Sequence, residues 1–533
     1  MPTVHQTTWR LLHALGLRKV FGNPGSTEMP FLADFPDDID YVLGLHESAV
    51  VAMADVYAQL TGEPTLVNLH TAVGLGNAMG AIINAASGHS PLVITAGQQV
   101  RATLTMQPLL TNPDPTMLPK PAVKWAFEPP RAQDVPAALA RAFRYAALPP
   151  AGPVFVSLPM DDFAQPAEPG TTELLAARRL TGRSAPAPAE LNTLAKRLTA
   201  AHNPVLVIGA GLDTTPGGFQ AGVAIAERQN LPIWLAPNTP RVGFPTDHPH
   251  FQGSLPAGIA WLAETLARHD LILVAGAPIF QYYPYAPGNY LPPDAELVAI
   301  TDDPDAAARA PVGDALVADP ALALQGLLEL LPQTNRPAPV PPAPLNIPPA
   351  VDTLTAAQVY HILGPLFPHN GIIVTESMNG AAAMWDRIKF RQPGSFFFCA
   401  AGGLGFAIPG AVGAQLAQPQ RPVLAISGDG SAQYGIQGLY TAANRQLPVT
   451  FLILVNHEYG ILKGFGDYLN TTGVPGLDLT HLDYQALANA YDIPATRTGR
   501  PDELAIAVKE ALNSTNGPHM IIIDIAPGVA VGG

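Results

Sequence analysis

The sequence has little of what several protein classes require. Among 533 residues there is one cysteine, Cys399, so no disulfide can form within the chain. Lysine and arginine number 28 against 42 acidic residues, and they form no basic stripe for a nucleic-acid backbone. No run approaches the roughly 18 apolar residues of a membrane span, and residues 1–16 lack a signal-peptide pattern. These absences argue against nucleic-acid and membrane partners and predict a soluble cytoplasmic protein.

The length and composition indicate a large protein with well-buried cores. A chain of 533 residues suggests about three domains of roughly 150 residues. Hydrophobic residues make up 48% and charged residues 13%, a balance that also favours burial between subunits. Proline-rich stretches at 182–189 and 334–350 are typical of extended linkers. They predict domains at 1–181, 190–333 and 351–533.

Each segment alternates short apolar runs with longer helical patterns. Examples of the runs are TLVNLH at 65–70, LILVAG at 271–276 and VLAISG at 423–428. Their hydrophobicity is continuous rather than alternating, which is typical of parallel strands covered by helices on both faces. The expected fold class is therefore α/β, with three doubly wound parallel-sheet domains.

Several common motifs are missing, and one glycine motif is ambiguous. The sequence has no GxxxxGK[ST] loop, CxxC pair, HExxH helix or GxSxG elbow, which argues against the usual nucleotide-hydrolase, zinc and esterase sites. GLGNAMG at 74–80 follows an apolar run, as in dinucleotide-binding folds, but no acidic partner follows at the expected distance. Close packing of a helix is the alternative.

A stronger signal is an aspartate between two glycines, followed by an asparagine 27 positions later. Asp429 and Asn456 each end an apolar run, and their spacing fits strand, helix, strand, so both are expected at the carboxyl edge of a parallel sheet. Gly428 and Gly430 would let the backbone and the following helix approach a diphosphate. Carboxylate and amide oxygens suit Mg²⁺ or Ca²⁺. A tight turn with an aspartate cap is the alternative that these residues leave open.

Longer stretches from both ends of the chain resemble one family. VFGNPGSTEMPFLADFP, LHESAVVAMADVYAQ, SPLVITAGQQ, LLTNPDPTMLP and FCAAGGLGFAIPGA, with the GDG and asparagine pair, are similar to the thiamine diphosphate-dependent decarboxylases, most closely to their benzoylformate decarboxylase branch. The resemblance covers nearly the whole chain. It implies pyrimidine-binding, middle and diphosphate-binding domains, with thiamine diphosphate and Mg²⁺, or Ca²⁺, as cofactors. It also implies active sites shared between two subunits of a homotetramer.

The resemblance assigns catalytic roles to residues of the first segment. Glu47 matches the glutamate that promotes the imino tautomer of the cofactor. Ser26 matches a hydroxyl that binds the carboxylate of a 2-keto acid, and His70 matches a proton donor to the adduct oxygen. A first-turn acid, a turn serine and a strand-end histidine are the structural alternatives.

Cofactor and metal ligands are implied mainly in the third segment. Gly402 matches the residue whose carbonyl accepts from the aminopyrimidine, and Leu404 the apolar residue that holds the cofactor bent. The metal set is Asp429, Asn456 and the carbonyl of Glu458, although Val455 replaces the usual first asparagine. The other implied cofactor-binding residues are Glu47, Met378, Gly428, Gly430, Ser431, Tyr459, Gly460 and Ile461.

An apolar substrate pocket is implied as well, by matches at Pro24, Phe398, Ile461, Leu462 and Phe465. Such a pocket favours aryl or branched 2-keto acids over pyruvate. The implied function is non-oxidative decarboxylation of an aryl or bulky, benzoylformate-like 2-keto acid to an aldehyde and CO₂ through a thiamine diphosphate enamine, with carboligation as a side activity. The alternatives are a carboligase or acetolactate-synthase-like transferase, and a catalytically weak cofactor-binding paralogue.

Two positions depart from the family pattern. Tyr283 stands where the benzoylformate decarboxylase branch has a second catalytic histidine. A phenol can donate a proton but does not act as an imidazolium near neutral pH. We therefore hypothesise slower protonation of the enamine and more carboligation. Met378, followed by Asn379, replaces small hydroxyl residues near the cofactor and is expected to reshape the pocket.

Overall fold

The computed structural model describes residues 1–347, 349, 353–377 and 379–528. Its strands form three six-stranded sheets in which the neighbouring strands are parallel. The predicted α/β class with three parallel sheets is therefore confirmed, while the predicted domain boundaries stay a prediction. Within the described ranges no helix is long and apolar enough to cross a bilayer.

The first sheet has the strand order β2-β1-β3-β4-β6-β5. Its strands are β1 (Lys19–Gly22), β2 (Asp40–Leu43), β3 (Thr65–Leu69), β4 (Leu92–Gln98), β5 (Ala126–Phe127) and β6 (Val154–Pro159). Its helices are α1 (Val4–Ala14), α2 (Met29–Leu32), α3 (Glu47–Thr61), α4 (Thr71–Ser87), α5 (Val135–Ala147) and α6 (Thr171–Ala176). Short 3₁₀ turns lie at Arg101–Met106, Ala132–Asp134 and Asp162–Ala164.

The second sheet has the order β12-β11-β10-β7-β8-β9. Its strands are β7 (Pro204–Ile208), β8 (Ile233–Leu235), β9 (Phe251–Ser254), β10 (Leu271–Ala275), β11 (Glu296–Thr301) and β12 (Asp314–Val317). Its helices are α7 (Pro188–Ala200), α8 (Gly211–Thr214), α9 (Gly218–Gln229), α10 (Ile259–Thr265), α11 (Pro304–Arg309) and α12 (Pro320–Leu330).

The third sheet has the order β14-β13-β15-β16-β18-β17. Its strands are β13 (Ile372–Thr375), β14 (Phe396–Phe398), β15 (Val423–Gly428), β16 (Val449–Val455), β17 (Ala495–Thr498) and β18 (His519–Asp524). Its helices are α13 (Ala356–Leu363), α14 (Ala381–Arg387), α15 (Ala407–Ala417), α16 (Asp429–Ala432), α17 (Gly438–Asn444), α18 (Gly460–Tyr468), α19 (Tyr484–Ala490) and α20 (Pro501–Asn513).

The central strands are apolar throughout because helices cover both faces of each sheet. All residues of β3, β10 and β16 are buried. Gly62 ends α3 in the left-handed region, with φ of 69°, as its position in the sequence predicts. The carboxyl edges of the sheets are left for loops and helix starts, where ligands of such folds usually bind.

The first and third sheets are joined within one chain by the packing of α3 against α15. A Cβ atom on Gly413 would collide with the carbonyl oxygen of Met53, and one on Gly410 would lie 3.0 Å from Val56 Cγ2. Only glycine permits this approach at Gly413. The two helices therefore form a close interdomain contact that fixes one sheet relative to the other.

A buried ion pair of the second sheet's domain touches both of the other domains. Arg241 Nε donates to Asp213 Oδ2 at 2.6 Å, and their side chains are 3% and 1% exposed. Arg241 also donates to the carbonyl oxygen of Gln59 on α3, and Asp213 accepts from the amide of Gly394 before β14. The guanidinium lies over the ring of Phe397. These contacts tie all three domains together at one point.

Candidate active site

Asp429 and Asn456 lie at the same sheet edge, as their spacing predicts. β15 ends at Gly428 and Asp429 begins α16, while β16 ends at Val455 immediately before Asn456. Gly428 is in register with Leu454 of the neighbouring parallel strand. The carboxyl ends of these two strands therefore present both side chains to the same loop cluster.

The carboxylate of Asp429 is held by backbone amides in a closely packed turn. Its carboxylate accepts from the amides of Gly430, at 2.9 Å, and His457, at 2.7 Å. Burial raises the pKa of Asp429, which a nearby cation would counteract. A Cβ atom on Gly430 would lie 2.5 Å from the ring of Tyr459, so only glycine fits there.

The oxygen donors at this edge fit a hard divalent cation. A carboxylate from Asp429, the amide oxygen of Asn456 and the backbone carbonyl of Glu458 are the ligand types of Mg²⁺ and Ca²⁺. Among the described residues no group of three His, Cys, Asp or Glu side chains could hold a metal. A cation here would therefore need further oxygens, such as those of a diphosphate and water.

A cavity of about 710 Å³ opens beside these residues. Pockets for organic ligands commonly measure about 300–1,000 Å³. The cavity lies at the ends of β13 to β16, and part of its wall comes from the second domain. The site residues predicted from the sequence that line it are Tyr283, Phe398, Gly402, Leu404, Gly428, Asp429, Gly430, Ser431, Asn456, Glu458, Tyr459, Gly460 and Ile461.

The loop after β14 projects an apolar side chain into this cavity. Leu404 is 39% exposed within the chain, although it follows a well-packed strand. Gly402 has φ of 74°, in the left-handed region, and a Cβ atom there would meet nothing within 4 Å. Both residues thus face open space, so a ligand in the cavity can reach the Leu404 side chain and the backbone at Gly402.

A second group of site residues lies at the carboxyl edge of the first sheet. Glu47 begins α3 and is buried, and the side-chain amides of Asn23 and Asn77 each donate to it at 3.1 Å. Ser26 is exposed in the loop after β1, and His70 follows β3 as the residue before α4. The first sheet therefore brings Glu47, Ser26 and His70 to the same edge.

Glu28 is a buried acid of this edge that the sequence analysis did not single out. Its carboxylate accepts from the amides of Gly25, at 2.9 Å, and Gly97, at 2.7 Å, and from the hydroxyl of Thr27 at 2.8 Å. Its position in GNPGSTEMP, an acid after a glycine-rich turn, was the available signal. Only its burial distinguishes Glu28 from an ordinary loop acid. That burial depends on β4, which lies beside the loop after β1.

The same carboxylate orients His70. Glu28 Oε2 lies 2.8 Å from His70 Nδ1, and Glu28 Oε1 accepts the amide of Thr71 at 3.3 Å. Thr71 has φ of 43°, a region that a β-branched residue rarely adopts. Strain of this kind persists where surrounding contacts enforce it, and such positions cluster at functional sites.

The two groups are not assembled into one site by a single chain. Among the described residues that line the cavity, Glu47, Ser26, His70 and Pro24 are absent. Pro24 is exposed on the loop of the first domain. The glycines of GLGNAMG lie within α4, where Gly74 packs against Glu47 while Gly76 and Gly80 are exposed, so close packing within the chain accounts for Gly74 alone.

The predicted substrate pocket is only partly enclosed in one chain. The rings of Tyr283 and Phe465 lie 5.0 Å apart, and Tyr283 is 66% exposed. Leu462 is exposed on α18, beside Ile461. Met378, predicted to shape this region, lies outside the described residues. A further covering surface is needed to close the apolar region around Tyr283 and α18.

Comparison with known proteins identifies the class. Residues 2–115 match the N-terminal TPP binding domain of thiamine pyrophosphate enzymes, residues 191–327 their central domain and residues 379–523 their C-terminal TPP binding domain. The chain belongs to the thiamine pyrophosphate enzyme family, which confirms the resemblance found in the sequence. Its first and last domains are thus thiamine diphosphate-binding domains.

Individual relatives are similar over almost their whole length. A benzoylformate decarboxylase of Pseudomonas aeruginosa PAO1 is 51% identical over 516 residues, covering 96% of this chain and 97% of the relative. A thiamine diphosphate-dependent 4-hydroxybenzoylformate decarboxylase of Rhodococcus jostii RHA1 superposes with a TM-score of 0.94 at 45% identity, covering 99% of both chains. A benzoylformate decarboxylase of Polynucleobacter necessarius gives 0.94 at 40% identity, also covering 99% of both.

Proposed function

We propose that the protein decarboxylates an aryl 2-keto acid such as benzoylformate or 4-hydroxybenzoylformate, releasing an aldehyde and CO₂. The observation that carries this proposal is the cavity in which Asp429 and Asn456 stand beside the exposed Leu404. That arrangement fits a diphosphate and a metal at one end and an apolar ring system at the other. Two solved structures of proteins named for those activities share the fold over 99% of the chain.

The bound cofactor would supply the electron sink that accepts the electrons left when CO₂ departs. Asp429, Asn456 and the Glu458 carbonyl would hold Mg²⁺, with Ca²⁺ as the other candidate, against the diphosphate. Ser431 and the first amides of α18, which begins at Gly460, would bind the phosphate oxygens. The protein's part at this end is binding and orientation.

Residues of the first domain would move protons at the reactive end. Glu47, held by two amides in a buried site, would share a proton with the aminopyrimidine ring. Ser26 would hydrogen-bond the substrate carboxylate, since it is exposed at the tip of its loop. His70 would donate a proton to the oxygen of the former keto group from the ring nitrogen that Glu28 does not contact.

The substrate side chain would occupy an apolar region built by Phe398, Ile461, Leu462 and Phe465. Burying an aryl group there removes apolar surface from water, whereas the methyl group of pyruvate would leave the region partly empty. This difference favours aryl and branched 2-keto acids. Pro24, on the loop that carries Ser26, would face the same group from the first domain.

We also propose that a second copy of the chain completes each site, within a homotetramer. Val73, Gly76, Gly80 and Ile83 are exposed along one face of α4, and Asn77 on that face contacts Glu47. Further exposed apolar side chains of the first domain are Met106, Leu109 and Met117. Exposed apolar surface of this extent marks an interface, and its position beside Glu47 would bring that residue to the partner's cavity.

The activity is tested with purified protein, thiamine diphosphate and Mg²⁺. Benzoylformate, 4-hydroxybenzoylformate, a branched keto acid and pyruvate are offered separately, and CO₂ and aldehyde are measured. We expect the two aryl acids to have the highest kcat/KM. Absence of CO₂ from all four would refute the decarboxylase and indicate a catalytically weak paralogue.

The shared site is tested by complementation. Glu47→Gln and Asp429→Asn are each expected to be inactive alone. Random assembly of the two variants at equal amounts should restore about a quarter of the wild-type activity, because half of the dimers would contain one intact site. No restored activity in mixed assemblies would contradict an active site built from two chains.

Tyr283 favours a second function, carboligation. Tyr283 lines the cavity, and the sequence resemblance places it where the benzoylformate decarboxylase branch is expected to have a histidine as proton donor. Adding an acceptor aldehyde to the same assay distinguishes the two outcomes. Hydroxyketone as the main product would assign the protein as a carboligase, and free aldehyde as the main product would retain the decarboxylase.

A further inference from the structure

The loop that carries Gly402 and Leu404 is held by an amide from another domain. Asn84, in the last part of α4, donates from Nδ2 to the carbonyl oxygen of Gly403 at 2.8 Å. Its Oδ1 accepts the amides of Gly403, at 3.1 Å, and Ala401, at 3.2 Å. Asn84 is 3% exposed. These three hydrogen bonds therefore hold the backbone on either side of Gly402.

The other end of the loop is held by an acid of its own domain. Glu376 Oε2 accepts the amides of Gly405, at 2.7 Å, and Phe406, at 2.9 Å, and Oε1 accepts the hydroxyl of Ser427 at 2.8 Å. Leu404 lies between the backbone positions held by Asn84 and those held by Glu376. Its projection into the cavity is thus determined from both sides of the loop.

We propose that Asn84 is a positioning residue that sets the Gly402 carbonyl and the Leu404 side chain in the geometry required by the bound cofactor. This inference rests on the proposed function and on the contacts with thiamine diphosphate that the family resemblance implies for these two groups. Asn84 does not touch the reacting atoms. It acts through the loop, and it belongs to the same chain as the loop.

Packing alone does not account for an amide at this position. The contact between α3 and α15 already joins the two domains closely, through Gly413 and Met53. A buried amide is costly unless its hydrogen bonds are made, and an apolar side chain would fill the space without that cost. Gly403 is adapted to the amide, because a Cβ atom there would lie 2.9 Å from Asn84 Nδ2.

Loss of Asn84 is expected to lower the reactivity of the bound cofactor more than its affinity. The diphosphate end would be held by Asp429 and Asn456, which follow β15 and β16 and are not among the hydrogen-bond partners of Asn84 given above. Loss of Asn84 should therefore weaken cofactor affinity by less than about tenfold, the scale of one neutral hydrogen bond. Misplacing a catalytic group by about 1 Å can lower a rate by roughly 100-fold. The rate of exchange of the thiazolium C2 proton should fall by that order.

The test uses the full-length protein with thiamine diphosphate and Mg²⁺. The variants are Asn84→Ala, Asn84→Asp, which keeps the accepting oxygen but loses the donor to Gly403, and Gly403→Ala, which displaces the amide from the opposite side. Thr441→Val is the matched control. It removes another buried hydrogen bond between the same domains, from the Thr441 hydroxyl to the Leu43 carbonyl at 2.8 Å. Calorimetry gives affinity, and acid-quenched deuterium exchange followed by NMR gives the C2 rate.

We expect Asn84→Ala and Gly403→Ala to lower the C2 exchange rate by about 100-fold, Asn84→Asp to be intermediate, and Thr441→Val to match the wild type. If Asn84→Ala does not fold, the inference is tested with Gly403→Ala and Asn84→Asp. Unchanged exchange in variants that bind the cofactor would overturn the inference, as would an equal loss in Thr441→Val. A wild-type protein that binds no thiamine diphosphate would instead refute the proposed function.

Discussion

Glu28 contacts His70 on the Nδ1 side of the imidazole ring, with its Oε2 2.8 Å from Nδ1. The Glu28 side chain is completely buried, whereas that of His70 is 23% exposed. A buried carboxylate is costly unless donors or a cation compensate it. Here the backbone amides of Gly25, Thr71 and Gly97 and the imidazole share that role, so the pair links the fold of the first domain to the proposed proton donor.

Replacing Glu28 by glutamine should reverse the tautomer of His70. The new amide group would donate to Nδ1, so a neutral ring would carry its proton on Nε2. Loss of the negative charge would also disfavour the doubly protonated ring, in which Nδ1 donates to residue 28 while Nε2 donates to the substrate, and this loss is the reason for a lower rate. We expect kcat/KM for benzoylformate to fall by about 10–100-fold, as for other residues that orient a functional histidine. Nitrogen-15 shifts of labelled histidine would report the tautomer directly.

Thr27→Val provides the control for Glu28. It removes the hydroxyl that donates to the same carboxylate and that lies 3.4 Å from His70 Nδ1, but it leaves the shorter contact between Glu28 and His70. Its kcat/KM should stay within a few-fold of the wild type. An unchanged tautomer in Glu28→Gln, or an equal loss in Thr27→Val, would show that the Glu28 and His70 contact does not orient the ring.

Arg241→Met should strongly destabilise the three-domain junction. The variant leaves the Asp213 carboxylate buried without its cation, which typically costs about 3–5 kcal/mol. Adding Asp213→Asn removes the charge while retaining an oxygen for the amide of Gly394. The double variant should therefore unfold at a higher temperature than Arg241→Met alone. Scanning calorimetry measures this, and additive losses would argue against coupling of the pair.

Tyr283→His should shift products towards free aldehyde. An imidazole can deliver a proton near neutral pH, whereas the phenol does so less readily. Tyr283→Phe is the matched variant, since it keeps the ring contact with Phe465 and loses only the hydroxyl. We expect Tyr283→Phe to increase the hydroxyketone fraction. Gas chromatography of both products gives the ratio, and an unchanged ratio in both variants would refute a role for residue 283 in protonation.

The stability of the protein should depend on Asp55 between about pH 4 and 6. Burial raises the pKa of this α3 carboxyl to about 6, despite donors from Ser90 and Gln59. Because the folded-state pKa is the higher one, its stabilising contribution is complete below pH 4 and is lost as the pH rises through 6. The loss amounts to about 3 kcal/mol, from roughly two pKa units.

Asp55→Asn should remove this dependence. Relative to the wild type, the variant should gain unfolding free energy as the pH increases from 4 to 7, because an amide does not ionise. Thermal unfolding of both proteins across that range gives the difference. Parallel stability curves for wild type and variant would contradict the raised pKa of Asp55.

The fold class could be predicted from the sequence because parallel strands covered on both faces are continuous apolar runs, which are visible in short stretches of sequence. β10 and β16 are continuous apolar runs, and Gly62 ends a helix where a left-handed residue is needed. The placement of Asp429 and Asn456 at one edge was predictable for the same reason, since strand, helix, strand spacing fixes which strand ends meet.

Contacts between distant segments could not be read from local patterns. Glu28 resembles any loop acid until β4 and His70 close over it, and Asn84 resembles any helical asparagine until the loop at 401–403 is placed beside it. The sequence by itself determined the three parallel sheets, the position of Asp429 and Asn456 at one sheet edge, and the family. These depend on hydrophobic periodicity and on motifs whose residues are close together in the chain. The tertiary structure alone decided which buried polar groups hold the site residues and that one chain keeps Glu47 apart from the Asp429 cavity, because burial and hydrogen bonding arise only when remote segments pack.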